Sequence, residues 1–559
     1  MEDVIKTAIE EALAGLGIEP VDFTVEHPSD MSHGDFACNV AMVVAKEVRQ
    51  SPREVAEQLH TKLEGQIEYV EKIEVAGPGF LNFYLARDFF TAELMRAVSL
   101  GDKWGRNKSE KGEVVLIEYT SPNLFKPLHV GNLVGNIVGE SLTRLYEFAG
   151  ADVKRMNYPS DIGLPVAKAV WGLKETGNDP TDIIALGEAY RIGNAAYEKE
   201  GVEKDEIVLI NQKLYAGTDV ELLALRSAGV QTSKARINEL CEMLGTHFDT
   251  EIFESQASEP GTAIVKAHIG DVFEESEGAV VYSKEKSGLH TRVFLNSKGL
   301  PTYEAKDIGH FMLKSTAYPQ WTQSIIVTGG EQTEYFKVVF SALRKLFPEI
   351  AKKSLVHIPT GFLTLTTGKM SSRLGNVLTG ESLLEEMEEA ARERVAESRT
   401  DDVEVLIKEI AVAALKYQIL RHGFGSNIVF DKEKAISFEG DSGPYLQYTH
   451  ARICSVLEKA STVGVTPQTK VIPLAPYKVE KILARFEEVV KSALDERAPH
   501  KVTTYLTELA GEFNTFYAQE KIADANDEFA PYKATVADAV HLTLKNGLWV
   551  LGIKAPERM

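Results

Sequence analysis

Two short segments carry residue types suited to handling a phosphoanhydride. The first is SPNLFKPLHVGN (121–132). It follows a nearly continuous apolar run, EVVLIEYT (113–120), and leads into a helical pattern from about 132 to 149 that stops at Gly150. Such a strand-to-helix junction offers free N–H groups and a partial positive charge to a phosphate. Gly131 lacks a Cβ and lets backbone approach a ligand ring closely. His129 and Asn132, three residues apart at the helix start, could both donate hydrogen bonds toward one phosphate, and Lys126 adds a full charge on a flexible arm. The second segment is GKMSSRLGN (368–376), a glycine-bounded polar loop after a strand. A lysine and two serines there (Lys369, Ser371, Ser372) suit closure over a triphosphate. Each segment also has a plainer reading. The first could be a structural loop with a surface lysine and a satisfied histidine, the second an ordinary basic loop.

The surrounding pattern must position these groups. Residues 1–95 read as a small α+β unit. Helical patterns cover about 3–16, 38–48 and 53–65, and two strand-like runs, 67–76 and 79–86, flank the turn signal Gly77-Pro78-Gly79. Residues 96–112 read as a linker. From 113 the texture is that of a parallel α/β sheet, with further strand-like runs at 152–158, 291–296, 324–330 and 354–361. Residues 184–285 read as a mostly helical, charged insertion. After about 399 the strands vanish. VEVLIKEIAVAALKYQIL (403–420) puts Val403, Ile407, Ile410, Ala414 and Tyr417 on one helical face, and patterns at 443–460, 478–494, 503–521 and 541–553 continue an all-helical bundle.

The bulk numbers exclude several classes. A chain of 559 residues implies roughly three or four domains. At 44% hydrophobic and 26% charged residues it is ordinary globular protein. Its N-terminus is an amphipathic helix without the features of a signal peptide, and no run of apolar residues is long enough for a membrane span. Cys38, Cys241 and Cys454 lie far apart, which suggests neither a disulfide framework nor a zinc site and fits a reducing cytoplasm. A net charge of −21 disfavours indiscriminate binding of polyanions but leaves room for a selective RNA partner.

Together the two motifs are far more specific than either alone. HxGH-like and KMSKS-like segments separated by α/β sequence resemble the class I aminoacyl-tRNA synthetases. EYTSPNLFKPLHVGN resembles the arginyl branch, with its pattern E-x-S-S-P-N-x-x-K-P-x-H-x-G-H. TYEAKDIGH (302–310), EGAVVY (277–282), GPYLQYTHARI (443–453), HGDFACNVA (33–41), GPGFLNFYL (77–85) and LGIKAPERM (551–559) look arginyl-like too, so the resemblance covers essentially the whole chain. It implies a Rossmann-type catalytic domain (113–398), an N-terminal tRNA-elbow-binding domain (1–95) and a helical anticodon-binding bundle (399–559). The implied activity is formation of arginyl-adenylate from L-arginine and ATP, then transfer to tRNA(Arg). ATP would enter with Mg²⁺ as its substrate complex, with no zinc; the enzyme is expected to be cytoplasmic, monomeric and off the membrane.

A guanidinium demands a carboxylate partner. Asp307 is the first choice, with Tyr303 one helical turn before it and Glu118 as a second carboxylate. Each also has a structural reading. By similarity Asn123 and Gln332 would hold the α-amino and carboxylate end, with His129 close by. Pro127, His129, Gly131 and Asn132 would line the ATP site with Lys369, Met370, Ser371 and Ser372. In the N-terminal unit Phe80 and Asn82 match positions that would meet the tRNA elbow. In the bundle Tyr448 and Arg452 share one helical face that could contact RNA, and the tail ending at Met559 is expected to pack near the anticodon site.

The sequence departs from the family pattern in several places. Asn132 stands where the second histidine of the first motif is usual, and Ser372 where the second lysine of the loop is usual. Lys126 is the expected substitute for that missing charge. Tyr335 occupies a place where arginyl sequences often have histidine, and Val134 one where arginine often follows. The rival readings are another class I synthetase, a catalytically silent tRNA-binding paralogue, and an unrelated nucleotidylyltransferase.

Overall fold

The computed structural model describes residues 1–366, 379–395 and 402–559. The chain divides into two compact units. One comprises Met1–Trp104, Val456–Phe486 and Gly511–Thr543; the other comprises Gly105–Ser455, Glu487–Ala510 and Leu544–Met559.

In the first unit the alternating apolar runs form antiparallel strands Val70–Ala76 and Phe80–Leu85. With Val25–Glu26 and Phe36–Cys38 they make a four-stranded antiparallel sheet, Phe80–Leu85 lying between Phe36–Cys38 and Val70–Ala76. Helices Glu2–Ala14, Val40–Val48 and Pro52–Leu63 bury Ile5, Ile9, Val44 and Leu59 in one core with Leu81 and Phe83. Ser51 and Glu54 form a reciprocal cap at the start of Pro52–Leu63, a feature that contributes about 1 kcal/mol. Arg87 donates to the buried Glu480 carboxylate at 2.9 Å, and the Tyr532 hydroxyl donates to it at 2.6 Å.

The second unit is built on five parallel strands in the order Ser354–Thr360, Gln323–Gly329, Val114–Glu118, Asp152–Asn157, Thr250–Glu251. Numbered along the chain this order is 5-4-1-2-3, a doubly wound sheet. The direction of winding reverses between Val114–Glu118 and Gln323–Gly329, and the crevice beyond their carboxyl ends is where such sheets bind ligands. Val115, Leu116 and Ile117 are buried on both faces, as the unbroken apolar run requires.

Several sequence expectations change here. The run 291–296 forms a strand, Arg292–Leu295, but pairs antiparallel with Ala279–Tyr282 in a separate three-stranded sheet. Its upstream neighbour is close enough in sequence for a local hairpin, which a parallel crossover is not. The helical insertion holds helices Ile183–Tyr197, Val202–Ala216 and Val220–Met243, and then returns Thr250–Glu251 to the main sheet. Among the described residues beyond 399 one strand survives: Ile428–Phe430 pairs with Leu363–Leu365. The pattern at 478–494 is two helices, Lys478–Leu483 and Phe486–Asp495. Helix Val403–Leu420 buries Ile407, Ile410, Ala414 and Tyr417, whereas Val403, in its first turn, stays 40% exposed.

Candidate active site

The first strand ends at Glu118, and the chain then turns through a strained loop. Thr120, Ser121 and Phe125 have φ of 72°, 38° and 68°, left-handed values that cost non-glycine residues on the order of 1–3 kcal/mol each. Neighbouring elements enforce them. The Asn132 amide donates to the Thr120 carbonyl at 2.8 Å, and Asn136 donates to the Thr120 hydroxyl at 2.9 Å. The Phe125 N–H donates to Ser233 Oγ at 2.9 Å. The Phe125 ring lies against Gly229, where any Cβ would come within 2.2 Å of it. Ser233 and Gly229 belong to insertion helix Val220–Met243, so the insertion braces the loop that carries Lys126.

Lys126 follows directly. Its ammonium lies 5.6 Å from the Tyr190 ring centroid, and burial lowers its pKa. His129 caps helix Val130–Phe148: its Nδ1 accepts the Gly131 N–H at 3.0 Å. That bond fixes the tautomer with Nε2 protonated, leaving Nε2–H as a donor. Burial first, then Lys126, lowers the His129 pKa against an opposing pull from Glu331, so the ring works as a neutral donor. Asn132 lies in the same turn, but one of its amide hydrogens is committed to the Thr120 carbonyl. Its bond in this structure braces the loop; His129 has its free donor.

The second half of the site lies on helix Tyr303–Ala317. Positions 303, 307, 310 and 314 follow helical spacing and share a face. Glu118 is buried, and its Oε2 accepts from His310 Nε2 at 2.8 Å and from Lys314 Nζ at 3.1 Å. Burial opposes its ionisation, but Lys314 and His310 outweigh it and hold the carboxyl at about 2. His310, stacked on Tyr158 at 3.9 Å, is lowered by burial and stays neutral at pH 7. Asp307 is treated differently. Among the described residues its one hydrogen-bond donor is the Tyr335 hydroxyl, 2.6 Å from Oδ2, and no cation pairs with it. Burial, partly offset by that hydrogen bond and reinforced by Glu118 and Glu254, pushes its pKa up to about 8. A carboxyl unpaired among the described residues therefore shares a cavity with Glu118, at the carboxyl end of the central strand.

The aspartate helix is seated by a close crossing. A Cβ on Gly309 would fall 2.0 Å from Ala257 O, and one on Gly261 1.9 Å from Ala305 O, so helices Glu254–Ala267 and Tyr303–Ala317 meet backbone to backbone. Lys306, on the crossing side, forms a buried ion pair with Glu254. Tyr303 is 50% exposed, with the Lys306 ammonium 4.5 Å from its ring centroid.

The remaining expected residues are scattered. Asn123 forms a backbone bridge to Ser160 at the mouth of the crevice, and Gln332 ends the exposed turn after Gln323–Gly329. Pro127 is partly exposed and Gly131 exposed at the helix start. Lys369, Met370, Ser371 and Ser372 lie outside the described residues. In the first unit Phe80 is partly buried and Asn82 is buried. In the second, Arg452 packs on Tyr448, its guanidinium 4.8 Å from the ring centroid. The tail is held by its backbone carbonyls: Gln447 donates to Lys554 O at 2.9 Å, and His450 Nδ1 lies 2.9 Å from Pro556 O. Met559 is partly buried at its end. Sequence reading missed His310, Lys314 and the bracing pair Gly229 and Ser233. Spacing alone could have found the first two, three and seven positions after Asp307.

Comparisons with known proteins agree along the chain. Residues 93–432 match the family model for the class I (R) tRNA synthetase catalytic domain, residues 446–559 the DALR anticodon binding domain, and residues 3–85 the arginyl tRNA synthetase N-terminal domain. An arginine–tRNA ligase of Clostridium perfringens is 30% identical over 97% of each chain, and one of Levilactobacillus brevis 30% identical over the whole of both. The solved arginyl-tRNA synthetase of Thermus thermophilus superposes over the full length of both chains with a TM-score of 0.81 at 27% identity. That of Plasmodium falciparum shares the fold, with a TM-score of 0.79 at 19% identity.

Proposed function

The chain belongs to the class I arginyl-tRNA synthetases, and from that membership we propose that it activates L-arginine with ATP and charges tRNA(Arg) through the residues described above. The observation that carries the reading is Asp307. A part-buried carboxyl that pairs with no cation among the described residues, beside the switch point of a doubly wound sheet, matches a cationic side chain.

The chemistry divides between the two ends of the crevice. Asp307 takes the guanidinium, with Tyr303 alongside. Asn123 and Gln332 hold the α-amino and carboxylate end. The arginine carboxylate attacks the α-phosphorus of ATP in line, pyrophosphate leaves, and the terminal ribose hydroxyl of tRNA then takes the arginyl group from AMP. Positioning and stabilisation of spreading charge are the enzyme's main tasks. His129 Nε2–H and Lys126 act on the α-phosphate region, and Lys369 with Met370, Ser371 and Ser372 on the β- and γ-phosphates. The donors at the helix start are N–H and ammonium groups, which suit phosphate oxygens. Mg²⁺ would accordingly arrive with ATP, held largely by phosphate and water.

Glu118 serves this reading as the anchor for Lys314 and His310 beneath Asp307. Residues 1–95 form the elbow-binding division, with the partly buried Phe80 and the buried Asn82 as its candidates; 113–398 the catalytic division; and 399–559 the anticodon-binding division, using Tyr448, Arg452 and the tail to Met559. A monomer acting in the cytoplasm fits this assignment. No helix among the described residues is long and apolar enough to cross a membrane.

The test is exchange of labelled pyrophosphate into ATP with each amino acid, with and without tRNA. Exchange with arginine alone is the expected result. No exchange under any condition, with tRNA still bound, would mean that the fold was kept and the chemistry lost.

A further inference from the structure

Tyr335 has no part in the division of labour above, yet it makes the closest contact to Asp307. It lies in the first turn of helix Thr333–Leu346, and its hydroxyl donates to Asp307 Oδ2 at 2.6 Å. Its ring is fixed on two sides. Phe336 meets it edge-on at 5.1 Å between centroids, and the Arg292 guanidinium lies 5.5 Å from its centroid. Arg292 is itself aligned by Glu304, 3.6 Å away on the aspartate helix. Lys314, the cation that could otherwise have turned Asp307, is bonded to Glu118.

We propose that Tyr335 is a positioning residue for arginine recognition, its hydroxyl fixing one oxygen of the Asp307 carboxylate and leaving the other for the guanidinium. This rests on the reading of Asp307 as the guanidinium partner. The hydroxyl does two things. It removes the rotational freedom of a carboxylate with no other hydrogen-bond donor among the described residues, so the guanidinium meets an oriented acceptor. It also favours the ionised form. The groups facing Asp307 otherwise work mostly against ionisation: burial and the charges of Glu118 and Glu254 raise its pKa, and Lys314 lowers it. Tyr158, stacked on His310, and the Glu304–Arg292 pair behind Tyr335 complete the titratable surroundings.

The signs follow directly. Only ionised Asp307 pairs with a guanidinium, so arginine affinity increases as pH rises toward about 8 and then levels off. Removing the hydroxyl moves that threshold higher. One charge-assisted hydrogen bond corresponds to a displacement of about one pH unit, which is about tenfold in ionised fraction below the threshold.

The experiment compares the full-length enzyme with Tyr335→Phe in arginine-dependent pyrophosphate exchange, with tRNA present, from pH 6 to 9.5. At pH 7 the variant should show a KM for arginine raised about tenfold, with kcat within about twofold and KM for ATP unchanged. The acid limb of its kcat/KM for arginine should lie about one pH unit higher. Near pH 9.5 the gap should narrow to the part that orientation of the ionised carboxylate contributes. An unchanged acid limb, or a fall in kcat with KM for arginine constant, overturns the role of Tyr335 while leaving Asp307 in place. A rise in KM for ATP of the same size would mark general damage to the fold and also overturn it. Absence of arginine-dependent exchange by the unaltered enzyme overturns the reading of Asp307, and this inference with it.

Discussion

The two ends of the crevice are built on opposite principles. At the proposed guanidinium end Glu118, His310 and Lys314 are buried, His310 and Lys314 each bonded to Glu118, and Asp307 is held by a tyrosine. At the phosphate end His129 and Gly131 are exposed at a helix start. Lys126 there lies over the Tyr190 ring, 5.6 Å from its centroid. The difference suits the ligands proposed for the two ends. An amino-acid side chain must be told from nineteen others, which calls for a dry site with fixed partners. A triphosphate must enter, react and lose pyrophosphate, which calls for donors that stay open to solvent.

Breaking the buried end should have the largest effect. Asp307→Asn keeps the shape but removes the charge, and kcat/KM for arginine in pyrophosphate exchange should fall about a thousandfold or more. A fall of less than tenfold would mean that another carboxylate meets the guanidinium. Lys126→Ala tests the open end: adenylate formation should fall about a hundredfold, with the melting temperature almost unchanged because Lys126 has no ion pair among the described residues. A near-wild-type rate would remove Lys126 from the chemistry.

Glu118→Gln separates binding from support. It leaves Lys314 buried beside a neutral amide, so thermal denaturation should report a loss of about 3 kcal/mol. If Glu118 instead contacted substrate directly, the KM for arginine would rise while stability held. The carboxyl's low pKa gives the same support a pH signature: its stabilising contribution is present at neutral pH and is lost as the solution is acidified toward about 2. The smallest effect concerns the tail. Deleting residues 555–559 removes the Pro556 carbonyl held by His450, and aminoacylation should weaken several-fold while melting shifts by only a few degrees. A larger loss of stability than of charging would make the tail a structural strap.

Much of the fold was legible. The apolar run 113–120 and the glycine-stopped helix after it read correctly because burial on both faces and helical periodicity each leave a strong local pattern. Thr250–Glu251 was not legible, since two residues carry no period; it joins the sheet through its parallel partner Asp152–Asn157. Arg292–Leu295 read as a strand, but a strand's own residues do not say which sheet it joins. Phe125 read as part of a motif, whereas its left-handed backbone depends on Gly229 and Ser233, more than a hundred residues away.

The sequence by itself determined the family and the activity that goes with it, and offered the two segments proposed to carry it, because motifs are local and their spacing survives in the string of residues. It also offered two carboxylates for the guanidinium, Asp307 first and Glu118 second, each with a structural reading beside it. Only the tertiary structure separated them. Lys314, 196 positions from Glu118, neutralises one; Tyr335 hydrogen-bonds the other and leaves it without a cation. Ion pairing depends on distance through space and on exclusion of water, and neither is written in the order of residues along a chain.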